Sequence, residues 1–310
     1  MTKEDLSFRS DFGEVVYSLY TPKNYNQCIV QIAHGMIEER GKYDEFAQFL
    51  SACGYVVAVN DHRGHGESIG GRSGKYVVDL GEMGENGFER AVGDMHTLTQ
   101  ILKKRFEGFR FILIGHSMGS LLARRYLQLY EKELDALVLM GTPSPNALAG
   151  FGVNLCSVLE LLGLKRVGVR MMNRLSLVGF NRRFRQRDAS APFYAWLTRD
   201  LKQAEPYMQK KEYRFSFTLN SFGCLFGGLK RVFSPNFRVN KINLPIVFLS
   251  GDDDPCGDFG KGALRAYEYL VSQGYENVQL RLYSGARHEL LLEINKRQIM
   301  QEVKEWIECK

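Results

Sequence analysis

Apolar residues recur along this chain with two different rhythms. Six short runs, 28–33, 55–61, 109–114, 136–140, 245–250 and 278–283, are rich in apolar, often β-branched residues and are bounded by Gly, Asp or Asn. Runs of this length and composition predict strands buried on both faces, as parallel strands are. Between them the spacing changes to three and four. Tyr43, Phe46, Ala47, Phe49 and Leu50 fall on one helical face, as do Phe88, Ala91, Val92, Met95, Leu98, Ile101 and Leu102. Leu121, Leu122, Tyr126 and Leu129 form a third stripe, and Ile299, Val303, Trp306 and Ile307 a fourth. Strands alternating with helices predict an α/β fold with a mostly parallel, doubly wound sheet. Residues 12–20 are read as an antiparallel edge hairpin.

The alternation stops between about residues 142 and 240. That stretch has no clear strand and several helix-like pieces, such as 147–164 and 192–213. It predicts a mostly helical cap, inserted at the C-terminal edge of the sheet and shaping a pocket there. The expected organisation is a core in two parts, 1–142 and 240–310, with the cap at 143–239. Charge marks the same division. Residues 144–240 carry 16 Lys/Arg against 5 Asp/Glu, whereas the rest of the chain carries 25 against 30.

The bulk composition is that of a globular protein, with 45% hydrophobic and 25% charged residues over 310 positions. The N-terminus lacks the apolar core of a signal peptide, and no run approaches the length of a membrane span. The six cysteines are scattered without CxxC spacing, which predicts free thiols and a cytoplasmic protein.

The chemistry gathers at the ends of the predicted strands. Gly115-His116-Ser117-Met118-Gly119 follows an apolar strand and precedes an amphipathic helix. A serine in that position sits on a sharp turn whose flanking positions must be glycine, with its hydroxyl at the helix N-terminus. Ser117 is therefore the expected nucleophile. It needs a base. In a fold with this turn the chain order is serine, acid, histidine, and of the six histidines only His288 follows Ser117. The acid belongs between them at a strand end, where Asp252, Asp253 and Asp254 stand together after the run 245–250. Asp254 is the first choice, lying past the strand end and before Pro255, with Asp252 and Asp253 as alternates. A metal-binding reading of this aspartate run lacks calcium-loop spacing. The backbone N–H groups of Met118 and Met36, the latter in the loop after the run 28–33, are the expected oxyanion donors. The loop Asp61-His62-Arg63-Gly64-His65-Gly66-Glu67-Ser68 is neither a metal nor a phosphate motif and reads as a structural turn bracing the site.

Five segments taken together, HGMIEERGKY (34–43), DHRGHGES (61–68), GHSMG (115–119), SGDDDP (250–255) and GARHE (285–289), resemble the monoacylglycerol lipase and bacterial lysophospholipase branch of the α/β-hydrolases, often grouped with the serine aminopeptidases. The resemblance covers about residues 12–142 and 240–308. It implies the α/β-hydrolase fold with Ser117, Asp254 and His288 as triad and Met36 and Met118 as oxyanion donors. It departs at Glu39, where the family usually has a histidine. The cap matches no family motif.

The expected reaction is carboxylic ester hydrolysis through an acyl-enzyme, without cofactor or metal. Residues 147–164 are apolar apart from Asn154, Ser157 and Glu160 and would line an acyl-chain tunnel. Arg182, Arg183, Arg185 and Arg187 would meet a phosphate head group or an anionic membrane surface. The expected substrate is therefore lipid-like, a lysophospholipid or monoacylglycerol. The rivals are an aminopeptidase on the same triad and a non-catalytic ligand-binding homologue. The basic cap carries no nucleic-acid recognition motif, and no obligate protein partner is implied.

Overall fold

The computed structural model describes residues 1–145, 149–174, 179–210, 213–234 and 237–310. Its sheet grows from the predicted apolar runs. The strands are β1 (Thr2–Arg9), β2 (Glu14–Thr21), β3 (Cys28–Ala33), β4 (Val56–Asn60), β5 (Gly71–Ser73), β6 (Tyr76–Val78), β7 (Arg110–His116), β8 (Ala136–Met140), β9 (Ile246–Gly251) and β10 (Val278–Tyr283). Eight of them form one sheet in the order β1-β2-β4-β3-β7-β8-β9-β10, while β5 and β6 make a small separate hairpin. From β4 to β10 all pairings are parallel. The hairpin of β1 and β2 is antiparallel and closes one edge, β2 also pairing antiparallel with β4.

Helices cover both faces. They are α1 (Asp44–Ala52), α2 (Gly87–Arg105), α3 (Met118–Tyr130), α4 (Ala149–Leu161), α5 (Lys165–Asn173), α6 (Arg182–Arg187), α7 (Leu201–Gln209), α8 (Leu219–Arg231), α9 (Lys261–Ser272) and α10 (Lys296–Glu308). Alternate residues of each central strand enter opposite cores. Phe111 and Leu113 of β7 face α2, α3 and α8, whereas Ile112 and Ile114 face α1 and α10. Burial on both faces is why these strands read as continuous apolar runs. Among the described residues no helix is long and apolar enough to cross a membrane.

The structure corrects several sequence readings. The edge hairpin begins at Thr2 rather than near residue 12, its turn closed by Ser10 N–H to the Gly13 carbonyl at 2.8 Å. Leu129, read as part of the α3 stripe, is exposed. The piece expected at 192–213 is helical only over Leu201–Gln209; residues 192–198 run in turns, and 211–212 lie outside the described residues. Likewise α4 starts at Ala149, with 147–148 outside the described residues. Between β8 and β9 the described segment is helical. Its last helix, α8, packs on α2 and α3 as well as on α4. Gly152 of α4 lets that helix approach closely, since a Cβ there would lie 2.8 Å from the Phe226 ring.

Candidate active site

The site lies at the C-terminal ends of four parallel strands of the sheet. β3 leads to Met36, β7 to Ser117, β9 to Asp254 and β10 to His288. Ser117 adopts φ 52° and ψ −118°, a conformation costly for a residue with a side chain. Tight packing enforces it. A Cβ on Gly115 would lie 2.4 Å from the Gly119 carbonyl oxygen, and one on Gly119 would lie 2.0 Å from that of Ala33. Ser117 N–H donates to the Met140 carbonyl at 2.9 Å, pinning the turn to β8. The hydroxyl is left at the first turn of α3, where the helix dipole favours negative charge.

His288 bridges the other two groups. Its Nε2 lies 2.9 Å from Ser117 Oγ and its Nδ1 lies 2.9 Å from Asp254 Oδ2. Asp254 is fully buried and His288 nearly so, while Ser117 is half-buried. The second oxygen of Asp254 accepts the Cys256 N–H at 2.8 Å. Its two neighbours point elsewhere. Asp252 accepts the Gly285 N–H at 2.6 Å, and Asp253 takes the Arg187 guanidinium at 2.8 Å. The three carboxylates thus diverge rather than surround a common point. Cys256 beside them is half-buried, and its desolvation together with the Asp254 charge pushes its thiol well above the ordinary range.

The Met36 and Met118 backbone N–H groups have no hydrogen-bond partner among the described residues. Gly35 keeps the Met36 loop tight against Glu38, whose Oε2 accepts the Gly35 N–H at 2.7 Å. The 61–68 loop supports the same loop from below. His62 N–H donates to His34 Nε2 at 2.9 Å, and His34 Nδ1 donates to the Gly35 carbonyl at 2.8 Å. Asp61 binds the Arg40 guanidinium and accepts the N–H groups of Arg40 and Glu67 at 2.7 and 2.9 Å. Arg63 is buried against Asp94 and Asp11 at 2.8 and 2.6 Å. Glu39, where the sequence departs from its resemblance, accepts the Tyr213 hydroxyl at 2.8 Å and so ties this loop to the helical segment.

Two features were not foreseen. Residues 195–198 hold the His288 loop through main-chain bonds, with Glu289 N–H donating to the Leu197 carbonyl at 2.7 Å, and the Trp196 ring lies 5.1 Å from the His288 ring. Beneath the site Glu38, Lys42, His116 and Glu289 form a buried ionic cluster. Its sequence signal is that these residues lie within the segments 34–43, 115–119 and 285–289.

The family model described as serine aminopeptidase, S33, matches residues 25–295. The chain belongs to that family. Within it, the chain falls in the monoacylglycerol lipase-like branch of the α/β-hydrolases. A monoacylglycerol lipase of Mycolicibacterium smegmatis is 28% identical, with 99% of this chain and 97% of the relative covered. The Mus musculus monoglyceride lipase is 25% identical over 95% of this chain and 87% of its own length. Among solved structures, a thermostable carboxyl esterase from Bacillus coagulans, in complex with glycerol, superposes with a TM-score of 0.83 at 25% identity, covering 99% of this chain and 97% of the esterase.

Proposed function

We propose that this member of the family hydrolyses a lipid-like ester, a monoacylglycerol or lysophospholipid, through an acyl-enzyme on Ser117. Its coarser class is plain from family and relatives: the chain is a carboxylic ester hydrolase. The observation that carries the finer reading is the unbroken relay of two 2.9 Å contacts from Asp254 through His288 to Ser117 Oγ.

In this mechanism His288 Nε2 takes the Ser117 proton as Oγ attacks the ester carbonyl carbon. Asp254 fixes the imidazole tautomer and offsets the charge that develops on the ring. The N–H groups of Met36 and Met118 receive the oxyanion, each contributing about 3 kcal/mol to the barrier reduction. The alcohol leaves with the proton from His288. Water, deprotonated by His288, then attacks the acyl carbon, and the acid departs as Ser117 recovers its proton.

Several observations weigh toward lipid. The relatives' names favour a monoacylglycerol. Phe151, Val158, Leu161, Leu162, Leu164 and Val167 of the α4–α5 region are exposed, with Lys165, Arg166 and Arg170 beside them. We read this face as the one that meets an anionic lipid surface. The helical segment acts as a cap in this reading, and the six unpaired cysteines of the chain fit the cytoplasm. The aminopeptidase reading, suggested by the family's description, needs a free acid to hold an α-amino group. Of the cap's acids, Glu160 accepts the Tyr76 hydroxyl and Asp188 is bound by Ser190.

A panel of aryl esters of increasing chain length, a monoacylglycerol and a lysophospholipid, run beside aminoacyl anilides, tests the reading. Ester turnover is expected to dominate and to rise with chain length, and Ser117→Ala to lower kcat by about 10⁵-fold and abolish fluorophosphonate labelling. Anilide turnover above ester turnover overturns the lipid-ester assignment.

A further inference from the structure

The ionic cluster beneath the site joins the three loops that the proposed reaction depends on. Glu38 lies two residues after Met36, and His116 and Glu289 are chain neighbours of Ser117 and His288. Lys42 bridges the two acids at 2.7 Å each. His116 Nδ1 stands 3.6 Å from Glu38, and its Nε2 stands 3.7 Å from Glu289 and 3.2 Å from the His288 carbonyl oxygen. The Tyr43 hydroxyl donates to Glu38 at 2.8 Å. All five side chains are buried or nearly so.

Charge balance decides the state of His116. Two carboxylates and one ammonium leave a net negative charge in a dry interior, and a protonated His116 cancels it. A neutral ring would keep one N–H for the His288 carbonyl and turn a bare nitrogen lone pair toward a carboxylate, an arrangement that burial makes costly.

We propose that His116, held as an imidazolium between Glu38 and Glu289, is a positioning residue whose proton clamps the Met36, Ser117 and His288 loops and sets an alkaline limit to turnover. This rests on the reading of Ser117 and His288 as nucleophile and base. The titratable groups facing His116 are Glu38 from the loop after β3, Lys42 and Tyr43 from the following turn, and His288 and Glu289 from the loop after β10, while Gly141, just past β8, lies against the ring. Burial alone would lower the basicity of His116, but Glu289 and Glu38 outweigh it and raise the group to about 9. A raised value gives a stabilising contribution that is full below the ordinary 6.5 and is lost as pH climbs through about 9.

The test compares pH profiles of kcat for a short aryl ester in the wild type, His116→Gln and Glu289→Gln. The wild type is expected to lose activity above pH about 9, roughly tenfold per unit. His116→Gln should be less active at neutral pH and lack that limb. Glu289→Gln, missing one acid, should move the limb to lower pH. Imidazole ¹⁵N spectra of the wild type read the group directly, whether or not the variants fold: both His116 nitrogens should be protonated at pH 7.5. A neutral His116 at that pH, or a His116→Gln profile with the wild-type limb, overturns the proposal. Fluorophosphonate labelling of the wild type keeps the two readings apart. A protein that takes no probe at any pH removes Ser117 from the mechanism, while the spectra still report the charge of the cluster.

Discussion

Three adjacent aspartates after β9 show how strictly position selects a role. Asp252, Asp253 and Asp254 are chemically the same, yet one binds the Gly285 main chain, one the α6 residue Arg187 and one His288. Asp254→Asn should therefore lower kcat about 10⁴-fold, because the amide cannot hold the imidazole in the tautomer that accepts the Ser117 proton. Asp253→Asn should leave kcat within a few-fold. Steady-state kinetics on one short ester separates them, and equal losses would move the acid assignment off Asp254. The same strictness holds at Gly119, where the obstacle to a side chain is the Ala33 main chain and not a movable rotamer.

Helix α6 illustrates how a short element couples two regions. Arg183 and Arg187 reach Asp253 at 3.5 and 2.8 Å, and the Phe184 ring lies 4.3 Å below the Arg287 guanidinium, next to His288 in the chain. Arg183 and Arg187 are about half exposed, so their pairing is worth little by itself and is screened by salt. Arg187→Ala is expected to raise KM for long-chain esters by up to about fivefold with kcat within twofold, and the difference from wild type should shrink at high salt. A kcat loss with KM unchanged would place Arg187 in the chemistry instead. Elements of this kind are poorly legible in sequence. The central strands were readable because both faces are buried, and the juxtaposition of Ser117, Asp254 and His288 was legible because each follows such a run. β1 was missed because Lys3, Glu4 and Asp5 face water at the sheet edge, where charge discourages further pairing. α6 is six residues with five polar, and α7 carries Pro206, so neither shows a helical stripe. The buried ionic cluster escaped because Glu38, Lys42 and Glu289 look like surface charges until strands far apart in the chain bring them together.

At the scale of the whole molecule the charge is divided: the segment from 144 to 240 is strongly basic and the remainder mildly acidic. The basic part also carries a run of exposed apolar side chains, including Leu161 at 86% and Phe151 at 63% exposure. Co-sedimentation should show binding to vesicles containing anionic lipid, weak binding to neutral ones, and release as salt rises from about 0.05 to 0.5 M. Binding indifferent to both lipid charge and salt would remove the arginines and lysines from the interaction. The sheet order carries a consequence in time as well. β10 lies at the sheet edge, pairs only with β9, and follows the other described strands in chain order, yet its following loop delivers His288. On the proposed mechanism a nascent chain can collapse its central strands while Ser117 is still inert, because the proposed base arrives only when this edge docks. Reactivity of Ser117 toward a mechanism-based label should therefore appear after bulk secondary structure during refolding, so that the label counts finished molecules and overlooks compact unfinished ones.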